Sequence, residues 1–248
     1  MNQYTADFHA ADFPGYRPTG VWSWDPETFW YRTDIPWVEL PIKFDTHHSA
    51  KILEQEHHVL FDEIAEQQNR RLHNQSQGRS WFATEHQKGW QQCAILRDHY
   101  PALAAQISGT QMPAEVVRPR LHPEVCQDIR ERMRELGIRL HWADVKALAP
   151  GGWIQPHRDP KVQGTTTMEY FWMPLNPCAA NLKFWPAGYL QHRCGYIYLV
   201  NNQTWLHSVI NTDSWTRYVL VGRIDRHSLN AELLHMTNCS VKQQWFDQ

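Results

Sequence analysis

The sequence predicts a mainly β fold: a double-stranded β-helix, or jelly roll, with helices on its N-terminal side. Three observations lead there. From residue 138 onward the apolar residues fall into strand-like runs: "IRLHWADVKALAP", "TMEYFWMPLN", "ANLKFWP", "CGYIYLV", "WLHSVIN" and "WTRYVLVGRID". Alternation at period two marks strands. Turn residues divide these runs: Pro-Gly-Gly at 150–152, Asn-Pro at 176–177, Pro-Ala-Gly at 186–188, Asn-Asn at 201–202 and Asn-Thr-Asp at 211–213. Many short strands so divided argue for antiparallel sheets packed face to face. Helical spacing is confined to the residues before 138.

The elements follow in order. Residues 1–45 are rich in Pro, Trp and Asp and read as an extended arm ending in a short strand near "WVELPIKF". Residues 46–137 read as helical support. In "SAKILEQEHHVLFDEIAEQQNRR" the residues Ile52, Leu53, Val59, Leu60 and Ile64 recur at helical spacing, which predicts one amphipathic helix. "QQCAILRD" reads as a strand. A second helix is expected in "HPEVCQDIRERMREL", with Pro123 at its first position, Glu124 in the first turn and Gly137 at its end. Residues 138–226 form the jelly roll and 227–248 a tail. No repeat or low-complexity linker interrupts 1–248, so one domain is expected.

Bulk properties exclude several function classes. The 248 residues are 42% hydrophobic and 20% charged, with a net charge of -2, an ordinary globular balance. There is no basic footprint for nucleic acid, no polybasic membrane patch and no apolar run of spanning length. The start lacks a charged segment followed by an apolar one. Five scattered cysteines (Cys93, Cys126, Cys178, Cys194, Cys239) argue for reduced thiols, and a cytoplasmic location is expected. The 13 tryptophans suit either core and rim packing or an aromatic-lined groove.

Chemistry concentrates in "GGWIQPHRDP". His157 and Asp159 stand at i and i+2, which on a strand share a face. His-x-Glu at 122–124 has the same spacing, but its Pro and Glu suit a helix start. His207 follows Asp159 by 48 positions on a late predicted strand, and Arg217 follows ten positions further on. Between them lie a strand, the turn "NTDS" and the start of the next strand, which returns Arg217 to the side of His207. Two imidazoles and one carboxylate on one face of a metal suit a non-haem iron site with open positions. A guanidinium grips a carboxylate in a bidentate fork.

The set His157-x-Asp159, His207 and Arg217 on a jelly roll resembles the Fe(II)- and 2-oxoglutarate-dependent oxygenases. The wider sequence resembles their aspartyl/asparaginyl β-hydroxylase-like branch, over residues 40–226 and most strongly over 146–221. "ALAPGGWIQPHRD" resembles that branch's first ligand pair, and "GYIYLVNNQTWLHSVINTDSWTRYVLV" its second-His and Arg block. The resemblance implies Fe(II) on His157, Asp159 and His207, with 2-oxoglutarate as co-substrate, its far carboxylate on Arg217, and O2 consumed. It implies hydroxylation of an unactivated C–H bond of an amino acid, free or within a peptide or protein. Two features depart from the pattern: the chain keeps the carboxylate ligand Asp159, which the best-known animal members of the branch lack, and a basic pair is missing. The strand after the first ligands lacks the family's Arg-x-His pair, and Tyr170 stands in place of the His. Lys146 falls where the family has a small polar contact to the co-substrate. A jelly roll with a metal site also suits a cupin-like protein with another metal reaction, or a non-catalytic binding module. A plain cupin, however, has no need of a carboxylate anchor ten residues past its last ligand.

Overall fold

The structure is a computed structural model that describes residues 36–61, 87–97, 122–159, 168–178, 182–185 and 187–229. Most of the Trp-rich arm, the "WFATEH" loop, Ile64 and the C-terminal tail lie outside the described residues. The order of elements is β1 (Trp37–Lys43), α1 (His47–Gln55), α2 (His57–Leu60), β2 (Gln87–Arg97), α3 (Gln127–Glu135), β3 (Leu140–His157), β4 (Met168–Pro174), β5 (Leu182–Trp185), β6 (Gly188–Tyr189), β7 (Tyr196–Val200), β8 (Leu206–Ile210) and β9 (Arg217–Asp225). The strand pairs are all antiparallel and follow the order β1-β7-β4-β9-β3-β8-β5-β6, with β2 also on β3. This is the jelly roll that the sequence predicts.

The path folds into two layers because β3 changes partner along its length. Its first part, Leu140 to Leu148, pairs with β9, and its last part, Trp153 to His157, pairs with β8. One sheet is therefore β1-β7-β4-β9 with the first part of β3 and most of β2, whose first residues follow β3 past the bend. The other is the last part of β3 with β8, β5 and β6. The sequence reading breaks this strand at Pro-Gly-Gly, whereas the chain runs through as one bent strand with Gly151 at φ 67°. Glycine takes this left-handed value without the steric cost that a Cβ brings.

Asn211 holds the bend. It is wholly buried. Its backbone exchanges hydrogen bonds with the bend, Gly151 N donating to Asn211 O at 3.0 Å and Asn211 N to Gly152 O at 2.8 Å. Its side-chain amide donates to Leu148 O (2.8 Å) and Trp215 O (2.9 Å), and its Oδ1 accepts from Asp213 N (3.1 Å). One side chain thus joins the bend in β3 to the β8–β9 turn.

Alternation along the strands divides the apolar residues between the two faces of the larger sheet. Tyr218, Leu220 and Ile224 of β9, Phe171 and Met173 of β4, and Ala143, Val145 and Ala147 of β3 join one core with Leu53, Ile129 and Met133 of the helices. Val219 and Val221, Trp172, and Leu148 face the other way, where they meet Leu182, Phe184 and Val209 of the smaller sheet. That second core is the barrel interior, and everything of chemical interest lies on its walls.

Both helix expectations need correction. The first helix breaks at Glu56 into α1 and α2, which turns Val59 outward to 44% exposure while Leu53 and Leu60 stay buried. The second begins at Gln127 rather than Pro123, because residues 123–126 form turns and Cys126 takes a left-handed φ of 58°. Its end is as expected, with Gly137 at φ 76°.

Asn211→Ala leaves the buried Leu148 carbonyl and the Trp215 carbonyl without these donors. Unfolding in urea is expected to show a loss of about 1–3 kcal/mol. An unchanged midpoint would mean that the bend is held by something else.

Candidate metal centre

Cross-strand register brings the two histidines together. His157, the last residue of β3, lies directly opposite His207 of β8, and their ring centroids are 4.3 Å apart. The strand then ends, but Asp159 is not loose. Its N–H donates to Asn202 O at 3.0 Å, and the Asn202 side-chain amide donates to its Oδ2. This leaves Oδ1 facing His157, 3.5 Å from Nε2. One ligand atom from each of His157, Asp159 and His207 falls within a span of 4.8 Å. No other group of three or more possible ligands is found among the described residues, so His122, Glu124, His141 and His192 take no part in such a cluster.

The electrostatics suit a cation. Burial lowers the pKa of His207 to about 4, helped by His157 and opposed by Asp159 and the Trp205 carbonyl. His207 is therefore neutral at pH 7. Its Nδ1 lies 3.3 Å from Trp205 O; a carbonyl only accepts, so that nitrogen carries the proton and Nε2 keeps its lone pair. Burial works to raise the Asp159 carboxyl. The hydrogen bond from His157, with the charges of His207, His157 and Arg223, outweighs it and lowers the value to about 2. One carboxylate and two imidazoles, one of them fixed as a neutral acceptor, fit a divalent first-row metal.

Arg217 opens β9 on the interior face and is 2% exposed. Both flanking backbone groups are held by one side chain: Asn176 Nδ2 donates to Thr216 O (2.9 Å) and Tyr218 N donates to Asn176 Oδ1 (2.8 Å). The guanidinium extends over the Trp172 ring, 5.8 Å from its centroid. Burial lowers its pKa to about 10, against the charges of Cys178 and Asp213, so it remains a cation at pH 7.

Lys146 also faces the interior. Its ammonium is 3.0 Å from Asp144 Oδ2 and 4.7 Å from the Trp90 ring centroid, so an internal carboxylate already neutralises it. Tyr170 lies on the same face, in register with Arg223 of β9. Sequence reasoning passed over Arg223, Asn202, Asn176 and Asn211. Arg223 was legible from its spacing, since it shares the parity of Arg217 along β9. The asparagines carried turn composition only, and their role depends on which carbonyl the fold brings near.

No family model matches the chain, and no curated protein matches it. Among solved structures, a prolyl-4-hydroxylase from Pseudomonas putida is similar at 14% identity, with a TM-score of 0.45 over 77% of this chain and 92% of that one. The non-haem α-ketoglutarate-dependent carbocyclase SnoK of nogalamycin biosynthesis is similar at 14% identity, with a TM-score of 0.41 over 82% of this chain and 84% of that one. A 2OG-Fe(II) oxygenase family oxidoreductase from Burkholderia pseudomallei is similar at 15% identity, with a TM-score of 0.35 over 72% and 91%. The fold rests on the strand pairing above, and the site on its own geometry. Two bulk expectations have structural counterparts. Cys93, Cys126, Cys178 and Cys194 are free thiols, and no helix among the described residues is long and apolar enough to cross a membrane.

The depressed His207 value sets a sign for stability against pH. Between pH 6.5 and 4 the unfolded chain accepts a proton that folded His207 refuses, so stability of the metal-free protein falls as pH falls. The His207 share is up to about 3 kcal/mol, and His207→Gln is expected to flatten the slope. Parallel slopes for the two proteins in urea unfolding from pH 7 to 4 would contradict the assignment.

Proposed function

We propose that the protein is an Fe(II)- and 2-oxoglutarate-dependent oxygenase that hydroxylates an unactivated C–H bond. The observation that carries the reading is a His157–Asp159–His207 cluster and a buried arginine, Arg217, brought to the same barrel interior by its two sheets. His157, Asp159 and His207 would hold the iron and leave positions open for other ligands. Bound iron and 2-oxoglutarate would supply the activation of O2 that C–H oxidation needs.

The chain's own residues bind and orient. Asn202 fixes which oxygen Asp159 presents, and the Trp205 carbonyl fixes the His207 tautomer. Arg217 binds the far carboxylate of the co-substrate, with Trp172 beneath its guanidinium. Tyr170 and Lys146 line the co-substrate chamber at the metal end and the middle of the same wall, and the Lys146–Asp144 pair adds polarity without net charge. The apolar remainder, including Leu148, Val219 and Val221, excludes water. An amino acid, free or in a peptide, is the substrate that the sequence resemblance supports, and no nucleic-acid or membrane partner is proposed.

Anaerobic titration with Fe(II) and 2-oxoglutarate tests this directly. The weak visible charge-transfer band of the chelate should need both additions and vanish in His157→Ala and His207→Ala. Arg217→Ala should keep the band but raise the half-saturating 2-oxoglutarate by about tenfold or more. Folded protein that binds zinc tightly and gives no band would point to a metal site of another kind.

A further inference from the structure

The Trp172 indole does more than lie beneath the Arg217 guanidinium. Two further rings press on it. Tyr198 of β7 lies directly opposite Trp172 in the strand register, with ring centroids 6.0 Å apart. His192, in the segment between β6 and β7, meets the indole edge-on at 5.0 Å. Trp172 and Tyr198 are both buried.

Both neighbours of the indole are locked by hydrogen bonds. The Tyr198 hydroxyl donates to Glu39 Oε2 at 2.7 Å and accepts from Arg193 N at 2.7 Å. Glu39 lies opposite Tyr198 on β1, so Glu39, Tyr198 and Trp172 form one row across β1, β7 and β4. Burial, with the Glu39 hydrogen bond, pushes the phenol well above its ordinary value, so the hydroxyl keeps the proton that this geometry uses. The Arg193 guanidinium also pairs with Glu39, but that side chain is 59% exposed, and an exposed pair contributes little. The buried phenol is the stronger tie, and it anchors the backbone next to His192. The His192 ring is held at both nitrogens. Nδ1 lies 3.2 Å from Leu190 O and Nε2 3.0 Å from Cys178 Sγ. A carbonyl only accepts, so Nδ1 carries the proton and Nε2 takes the thiol hydrogen. Burial lowers the His192 pKa, so the ring is neutral at pH 7.

Resting on the oxygenase reading, we propose that Tyr198 and His192 are positioning residues for the co-substrate: they hold the Trp172 indole under Arg217 and so set in advance the fork that grips the far carboxylate. A long side chain ordered only on binding takes its lost freedom out of the affinity. A guanidinium already seated on a fixed ring loses less when the ligand arrives. The relay begins at Glu39, on a strand separated from β9 by two others. This gives a reason for a buried carboxylate on β1, far along the sheet from the arginine it serves.

Anaerobic titration of the Fe(II)-loaded protein with 2-oxoglutarate, read at the chelate band, tests this. Tyr198→Phe keeps the ring and removes the hydroxyl, and His192→Leu removes the edge contact; either variant alone suffices if the other fails to fold. Each is expected to raise the half-saturating 2-oxoglutarate by about threefold to tenfold. Neither should alter the visible spectrum of the Co(II)-loaded protein, which reports the metal ligands alone. The deciding readout is coupling. In an Arg217→Ala background the same substitutions should change the midpoint by less than about twofold, because the group they position is gone. A general loosening of the barrel would instead raise the midpoint equally with and without Arg217. Such an equal rise, an unchanged midpoint in the single variants, or an altered Co(II) spectrum would overturn the proposal. Failure of the chelate band in the unsubstituted protein would overturn the oxygenase reading itself, and this one with it.

Discussion

A single cross-strand pair, His157 opposite His207, determines what the rest of the site can be. It exists because β3 leaves β9 after Leu148 and continues against β8 from Trp153. A one-residue slip in that register turns a ligand away from the interior, since strand side chains alternate faces. The bend at Gly151 and the buried Asn211 amide guard against such a slip. Asn211 lies four residues after His207 and six before Arg217, so the side chain that fixes the bend also sets where β8 ends and the β8–β9 turn begins.

The larger sheet has two unlike faces, and that division supports the site. The outer face is apolar and packs on α1 and α3. The inner face carries apolar residues interrupted by charge: Asp144 and Lys146 on β3, Arg217 and Arg223 on β9. Ions buried this way stabilise poorly by themselves. They are spread along the wall, with a cation toward each end of β9 and an ion pair on the strand beside it. Gly222, next to Arg223, belongs to this design as well. A Cβ there would overlap the Trp142 carbonyl and come within 2.8 Å of the Phe171 ring, so the close approach of β9 to β3 and β4 requires glycine.

Much of this was legible in the sequence. The period-two runs and the turn residues between them gave the strands, and the two-residue spacing of His157 and Asp159 gave a shared face. What stayed hidden depends on three-dimensional partners. That Asp159 lies past the end of its strand and is held by Asn202 follows from the loop between β7 and β8. Helix boundaries failed for local reasons: the break at Glu56 and the left-handed Cys126 interrupt patterns that composition alone leaves continuous. Arg223 was visible as a residue, but its burial beside Trp142 required the pairing of β9 with β3.

The most direct test of the central claim, that His157, Asp159 and His207 form one metal centre, is the visible spectrum of the protein titrated with Co(II). The account predicts a single equivalent bound with weak d–d bands of nitrogen and oxygen ligation, lost in His207→Ala and weakened in Asp159→Ala. An intense sulfur-to-metal band, or a spectrum unchanged by either substitution, would mean that the metal binds elsewhere and that the paired histidines serve only the fold.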